Sequence, residues 1–135
     1  MANKTEDDGI RYEELAGVEV SEVLLNGAVR INFGKGRRYE LTIEKDFTVC
    51  TSQSDAPTKV EFRPYVVGWE PTGMNELVSL FHAVVAEANA TPDATLRISF
   101  ANGAALEVLP DPRYEGWHIW IDGEISGQLA GSGLM

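Results

Sequence analysis

One stretch of this chain occurs twice, and both copies have the form of a β-hairpin. Val29-Arg-Ile-Asn-Phe-Gly-Lys-Gly36 aligns without a gap on Leu96-Arg-Ile-Ser-Phe-Ala-Asn-Gly103, and the match continues from Tyr39-Glu-Leu41 to Leu106-Glu-Val108. Arg30/Arg97, Ile31/Ile98, Phe33/Phe100, Gly36/Gly103 and Glu40/Glu107 are identical pairs. Apolar residues at period two, a glycine at the turn and polar residues between them are what an antiparallel ribbon with one buried face requires. The repeat therefore predicts Ile31, Phe33, Ile98 and Phe100 facing a core, with Arg30, Asn32 and Arg97 facing outward. It is a repeat of architecture, because no repeated residue belongs to a reactive constellation.

Extending outward from the repeat gives an α+β chain, mainly antiparallel sheet built from two similar β-meanders, with one amphipathic helix packed on it. The first meander spans 18–44 and begins with an imperfectly alternating strand, whose change of parity predicts a bulge near Ser21-Glu22. Asn26-Gly27 supplies its hairpin turn. A weaker strand covers Phe47 to Thr51, and an extended run from Lys59 to Trp69 is interrupted by Pro64. Leu77, Leu80, Phe81 and Val84 recur at helical spacing and predict a helix over about 73–83, with Thr72 as its N-cap. The second meander covers 84–109. A final hairpin, 116–128, alternates Trp117, Ile119 and Ile121 against His118 and Trp120 and turns at Asp122-Gly123. Residues 1–12 are polar and expected to fray, leaving a single domain over 13–135.

Charge excludes several function classes. The 135 residues carry a net charge of −10, divided unevenly. Residues 1–64 hold 12 acidic and 9 basic side chains, a balance of −3, whereas 65–135 hold 9 acidic side chains and only Arg97 and Arg113, a balance of −7. Such a field repels nucleic acid and anionic membranes, whose binding depends on cationic side chains. No apolar run reaches the roughly 20 residues of a membrane helix, and the first residues lack a secretory apolar stretch, so the expectation is a cytoplasmic protein. A lone cysteine, Cys50, makes neither an intramolecular disulfide nor a thiolate zinc cluster, and no cofactor motif is present. Gly34-Lys-Gly36 has a glycine-rich look, but it lacks the spacing and following helix of a phosphate loop.

The densest cluster of functional residue types is Pro110-Asp-Pro-Arg-Tyr-Glu-Gly-Trp117, followed by His118 and Trp120. Together with the leucine-rich helix and the Leu-x-Ile-x-Phe-x-x-Gly-x-x-Leu-x-Val hairpin at 96–108, this segment resembles a bacterial family catalogued only as a domain of unknown function (number 6188). The resemblance covers about Gly17 to Gly127 and implies no activity.

Two function classes follow. In the first, the chain is a non-enzymatic interaction module that binds a basic protein, as small acidic bacterial immunity proteins neutralise basic toxins. Asp111, Tyr114, Glu115, Trp117, His118 and Trp120 are its candidate contact residues, with the aromatic rings supplying area and the acids steering encounter. In the second, a small-molecule or catalytic pocket lies between sheet and helix, lined by Tyr65, Trp69, Tyr114 and Trp117. His82 and His118 have no acid or nucleophile at a diagnostic spacing, which favours the first class. Composition says nothing of the oligomeric state.

Overall fold

The structure is a computed structural model that describes residues 3–4, 10–25, 28–35, 39–51, 56–61, 73–110, 116–121 and 124–125. In chain order the strands are β1 (Asn3–Lys4), β2 (Ile10–Arg11), β3 (Val20–Leu25), β4 (Val29–Phe33), β5 (Tyr39–Ile43), β6 (Phe47–Cys50) and β7 (Thr58–Val60). After helix α1 (Met74–Val78) come β8 (Val85–Ala90), β9 (Leu96–Phe100), β10 (Ala105–Val108), β11 (Trp117–Ile121) and β12 (Glu124–Ile125). They form two antiparallel sheets, one of seven strands ordered β1-β2-β8-β9-β10-β6-β7 and one of five ordered β12-β11-β5-β4-β3. Among the described residues no helix is long and apolar enough to cross a membrane.

The two sheets exchange strands. β6 follows β5 in sequence but pairs with β10, and β11 follows β10 but pairs with β5. The crossovers touch each other, since the Glu44 amide donates to Gly116 O at 2.7 Å and Lys45 Nζ donates to Pro110 O at 3.1 Å. A third junction joins the starts of β3 and β8, where the Val20 amide donates to Ala83 O and the Val85 amide to Val18 O. Backbone groups at the sheet corners are thereby paired instead of being left dry and orphaned.

Alternation places Ile31, Phe33, Leu41 and Ile43 from the five-stranded sheet in one core with Val49, Leu96, Ile98, Phe100 and Leu106 from the other. Each such side chain contributes roughly 1.5–3 kcal/mol on burial. Trp117 is fully buried among them, and its Nε1 donates to Ala94 O at 2.9 Å. The loop that presents this carbonyl is itself fixed. Ala94 has φ 68°, and the Asp93 carboxylate beside it accepts from the Thr91 hydroxyl and the Thr95 amide. Those hydrogen bonds favour the ionised carboxylate and hold the Asp93 pKa below its ordinary value. Their contribution is present above the unfolded carboxylate pKa and fades as pH falls through the depressed folded one.

Sequence and structure part in several places. The helix expected over 73–83 is the five-residue α1, with Leu77 and Leu80 buried but Phe81 and Val84 exposed. The chain leaves the helix because His82 takes φ 70° and gives its amide to Val20 O, a tertiary bond that outweighs local periodicity. The chain start does not fray as far as residue 12. Ile10–Arg11 pairs with β8, and Ile10 and Tyr12 are buried. The bulge falls between Val20 and Glu22, where the change of parity placed it. The ungapped alignment of the repeat slips beyond the turn: Leu41 lies opposite Ile31, as Leu106 and not Val108 lies opposite Ile98. The connection over 34–38 is longer than that over 101–103, and the slip of two residues preserves facing. Thr72 and Pro64 lie outside the described residues.

Two local details yield tests. Gly73, at the start of α1, has φ +82°, and a Cβ there would sit 3.0 Å from Thr58 Cγ2 and 3.2 Å from Lys59 O. Gly73→Ala is expected to lower stability by about 1–3 kcal/mol in urea unfolding, from left-handed strain plus displacement of β7. Tyr12 is buried with no hydrogen-bond partner for its hydroxyl, and burial raises its pKa. A raised folded pKa gives stability that is complete below the unfolded value, about 10, and lost as pH rises above it. Tyr12→Phe is therefore expected to match or exceed the wild type by about 1 kcal/mol at neutral pH and to resist unfolding above about pH 10. Parallel alkaline unfolding curves would refute this.

Candidate binding face

The site is built from the side of the five-stranded sheet that faces away from the core. Register places Glu22 opposite Asn32, Asn32 opposite Glu40 and Glu40 opposite Trp120, forming one cross-strand row on β3, β4, β5 and β11. The adjacent row is Leu24, Arg30, Thr42 and His118. Directly opposed residues share a face and lie close enough to interact, so these eight side chains form one patch. Strand exchange is what brings His118 and Trp120 into it.

This patch departs from a solvated outer face. Asn32 is 0% exposed and Thr42 7%, although alternation turns both away from the core. Asn32 Nδ2 donates to Glu22 Oε1 at 3.1 Å, and Thr42 Oγ1 donates to Glu40 Oε2 at 3.0 Å. Asn32 Oδ1 and Arg30 Nε are buried without hydrogen-bond partners. The outward placement expected of Arg30 and Asn32 thus holds for direction and fails for exposure: Asn32 is buried and Arg30 half-buried. The other sheet supplies the comparison. There Arg97 and Ser99, at the matching positions of the same motif, are exposed, and Arg97 Nε meets Glu107 Oε2 at 2.6 Å.

Of the sequence-predicted contact residues, His118 and Trp120 are half-buried on this patch, with ring centroids 6.0 Å apart. Trp117 points the other way, into the core. Asp111, Tyr114 and Glu115, with Tyr65 and Trp69, lie outside the described residues. Beside His118 and Trp120 from β11, strands β3, β4 and β5 supply Glu22, Arg30, Asn32, Glu40 and Thr42 to this face.

Sequence spacing missed one further pair. His82 Nδ1 lies 2.6 Å from Glu19 Oε2 across 63 residues, with both side chains more than half exposed. The Phe81 ring rests on the His82 imidazole at 3.9 Å between centroids. No signal in the sequence marks the pair, since the junction of β3 with β8 creates it. Cys50 is a free, half-buried thiol. Among the described residues no group of three or more His, Cys, Asp and Glu side chains is placed to hold a metal.

A family model described as a family of unknown function (DUF6188) matches residues 12–125. No curated protein and no solved structure matches the chain.

Proposed function

The chain belongs to the family of unknown function DUF6188, so its role has to be read from geometry, and we propose a non-enzymatic module that binds a basic protein through the outer face of the five-stranded sheet. The observation that carries this reading is the contrast between two faces built on one motif. Around Arg97 the polar groups are exposed and ion-paired, as solubility alone demands. Around Arg30 and Asn32 the fold retains buried polar atoms without partners, at a cost of about 1–3 kcal/mol each. A cost of that kind is a common mark of a functional surface.

The row itself suits a cationic guest. Two carboxylates, Glu22 and Glu40, stand on either side of the buried Asn32, and the indole of Trp120 ends the row. Carboxylates attract an arginine or lysine side chain, and an aromatic face adds cation–π attraction. The net charge of −10 accelerates encounter with a basic partner at low salt. The fold history belongs to the same proposal. β3-β4-β5 and β8-β9-β10 are two copies of one meander, and the first copy has exchanged a solvated outer face for a binding one.

The test takes a basic partner captured over the wild-type protein and purified. Trp120→Ala is expected to weaken its binding by about 2 kcal/mol or more, about 30-fold, with the thermal unfolding midpoint little changed. Glu40→Lys should mainly slow association. Unchanged affinity of Trp120→Ala, or affinity independent of salt between about 50 and 500 mM, would refute the proposal.

A further inference from the structure

The two halves of the chain are related by a local twofold axis. Glu19 and Val84 face each other in an antiparallel bridge, and the hydrogen bonds that flank them form a matched pair. The Val20 amide donates to Ala83 O at 2.8 Å, and the Val85 amide donates to Val18 O at 2.9 Å. Half a turn about the bridge therefore brings residue 18 onto 83, 19 onto 84 and 20 onto 85.

The correspondence extends in both directions. Gly17 (φ 83°) and His82 (φ 70°) are both left-handed, and each gives its amide across the axis, Gly17 to Val85 O and His82 to Val20 O. Before them, Tyr12 and Leu15 are buried as Leu77 and Leu80 are, and the Leu15 amide donates to Tyr12 O as the Leu80 amide donates to Leu77 O. After them, β3 and β8 bulge at the same step, Val20/Glu22 and Val85/Glu87, with Phe33 opposite Val20 and Phe100 opposite Val85. β6 meets β10 with Val49 opposite Leu106, as β11 meets β5 with Ile119 opposite Leu41. Each half keeps a three-stranded meander and lends its fourth strand to the other.

That is the plan of a strand-exchanged dimer contained in one chain, and we propose that its partner is a second copy, taken by reciprocal exchange: residues 12–60 of one copy complete 77–125 of the other, and the converse. Every pairing above is retained between chains, so the cost is confined to the connection between the halves and to association itself. Unlike halves are selected. Two first halves would set Glu19 directly opposite Glu19, a destabilising pair of like charges. Two second halves would take from His82 the Glu19 carboxylate that its Nδ1 meets at 2.6 Å. Each lobe of the dimer thus has the make-up of the monomer, with Glu22, Asn32 and Glu40 of a row supplied by one copy and Trp120 by the other. On the binding role proposed above, the dimer would carry two complete rows and hold two basic segments at once.

The test uses full-length variants broken in one half each, Ile31→Asp in the first and Ile98→Asp in the second, both at buried core positions. Neither variant alone can form a lobe from two sound unlike halves. They are refolded together from urea at roughly millimolar concentration, which matches the effective concentration of linked segments. The mixture is expected to recover about half the near-UV circular dichroism of the wild type, one sound lobe in two, with the mass of two chains in light scattering. A mixture that gives only the mean of the two separate signals would overturn exchange. Wild type supplies a second reading that needs no damaged variant. Refolded at roughly millimolar concentration it should yield a dimer that survives dilution to about 1 µM for hours, because release requires a lobe to unfold. No dimer, or a dimer that dissociates within seconds of dilution as a surface contact does, counts against the proposal. Neither measurement involves a basic partner, so exchange and the proposed function stand or fall separately.

Discussion

Trp117→Ala is expected to remove about 3–5 kcal/mol of stability in urea unfolding. Among the described residues Trp117 is the largest fully buried side chain, and its loss opens a cavity between the sheets. It also removes the donor to Ala94 O, a bond from β11 in one sheet to the β8–β9 loop of the other. Domains of this size are stable by about 5–15 kcal/mol, so the variant should sit near the unfolding threshold at 37 °C. Trp117→Phe separates the two contributions. It retains most of the bulk and should cost about 1–3 kcal/mol, chiefly from a buried carbonyl left without its donor. A loss below about 1 kcal/mol for Trp117→Ala would contradict its place in the core.

A polypeptide of residues 1–72 alone is expected to lose cooperative folding altogether. Its β5 lacks β11 and its β6 lacks β10, so both strands present unpaired edges, and the apolar faces of β4 and β5 have no opposing sheet. Near-UV circular dichroism should be flat and unfolding in urea non-sigmoidal. Adding a polypeptide of residues 73–135 should restore both signals if the exchange of strands is what completes each sheet. A sharp transition from residues 1–72 alone would mean that the first sheet is self-sufficient.

The sequence disclosed strands more faithfully than it disclosed surfaces. Period-two alternation at 29–33, 96–100 and 117–121 depends only on one face being dry, and Ile31, Phe33, Ile98, Phe100, Trp117 and Ile119 are buried accordingly. Helical spacing at Leu77, Leu80, Phe81 and Val84 misled, because a short helix followed by a turn and a strand produces the same intervals. What covers an outward residue is set by its neighbours in space. Asn32 and Ser99 read alike in the repeat, yet one is buried and the other exposed. Burial of that kind depends on tertiary neighbours, which the alternation of a single strand does not encode. The Glu19–His82 contact was unreadable for the same reason.

The exchange of strands also orders events in time. During synthesis at about 5–20 residues per second, β3, β4 and β5 emerge several seconds before β11, the strand that carries Trp120. Until then the edge of β5 is open and the row Glu22, Asn32, Glu40 ends without its indole. On the binding role proposed above, a nascent chain would lack the indole of that row until β11 pairs with β5. The delay has a cost, since the waiting edge is open to mispairing with other chains, and a chaperone that shields extended segments would be needed most in this interval. The proposed binding competence would thus be a late property of the chain, acquired when β11 joins β5.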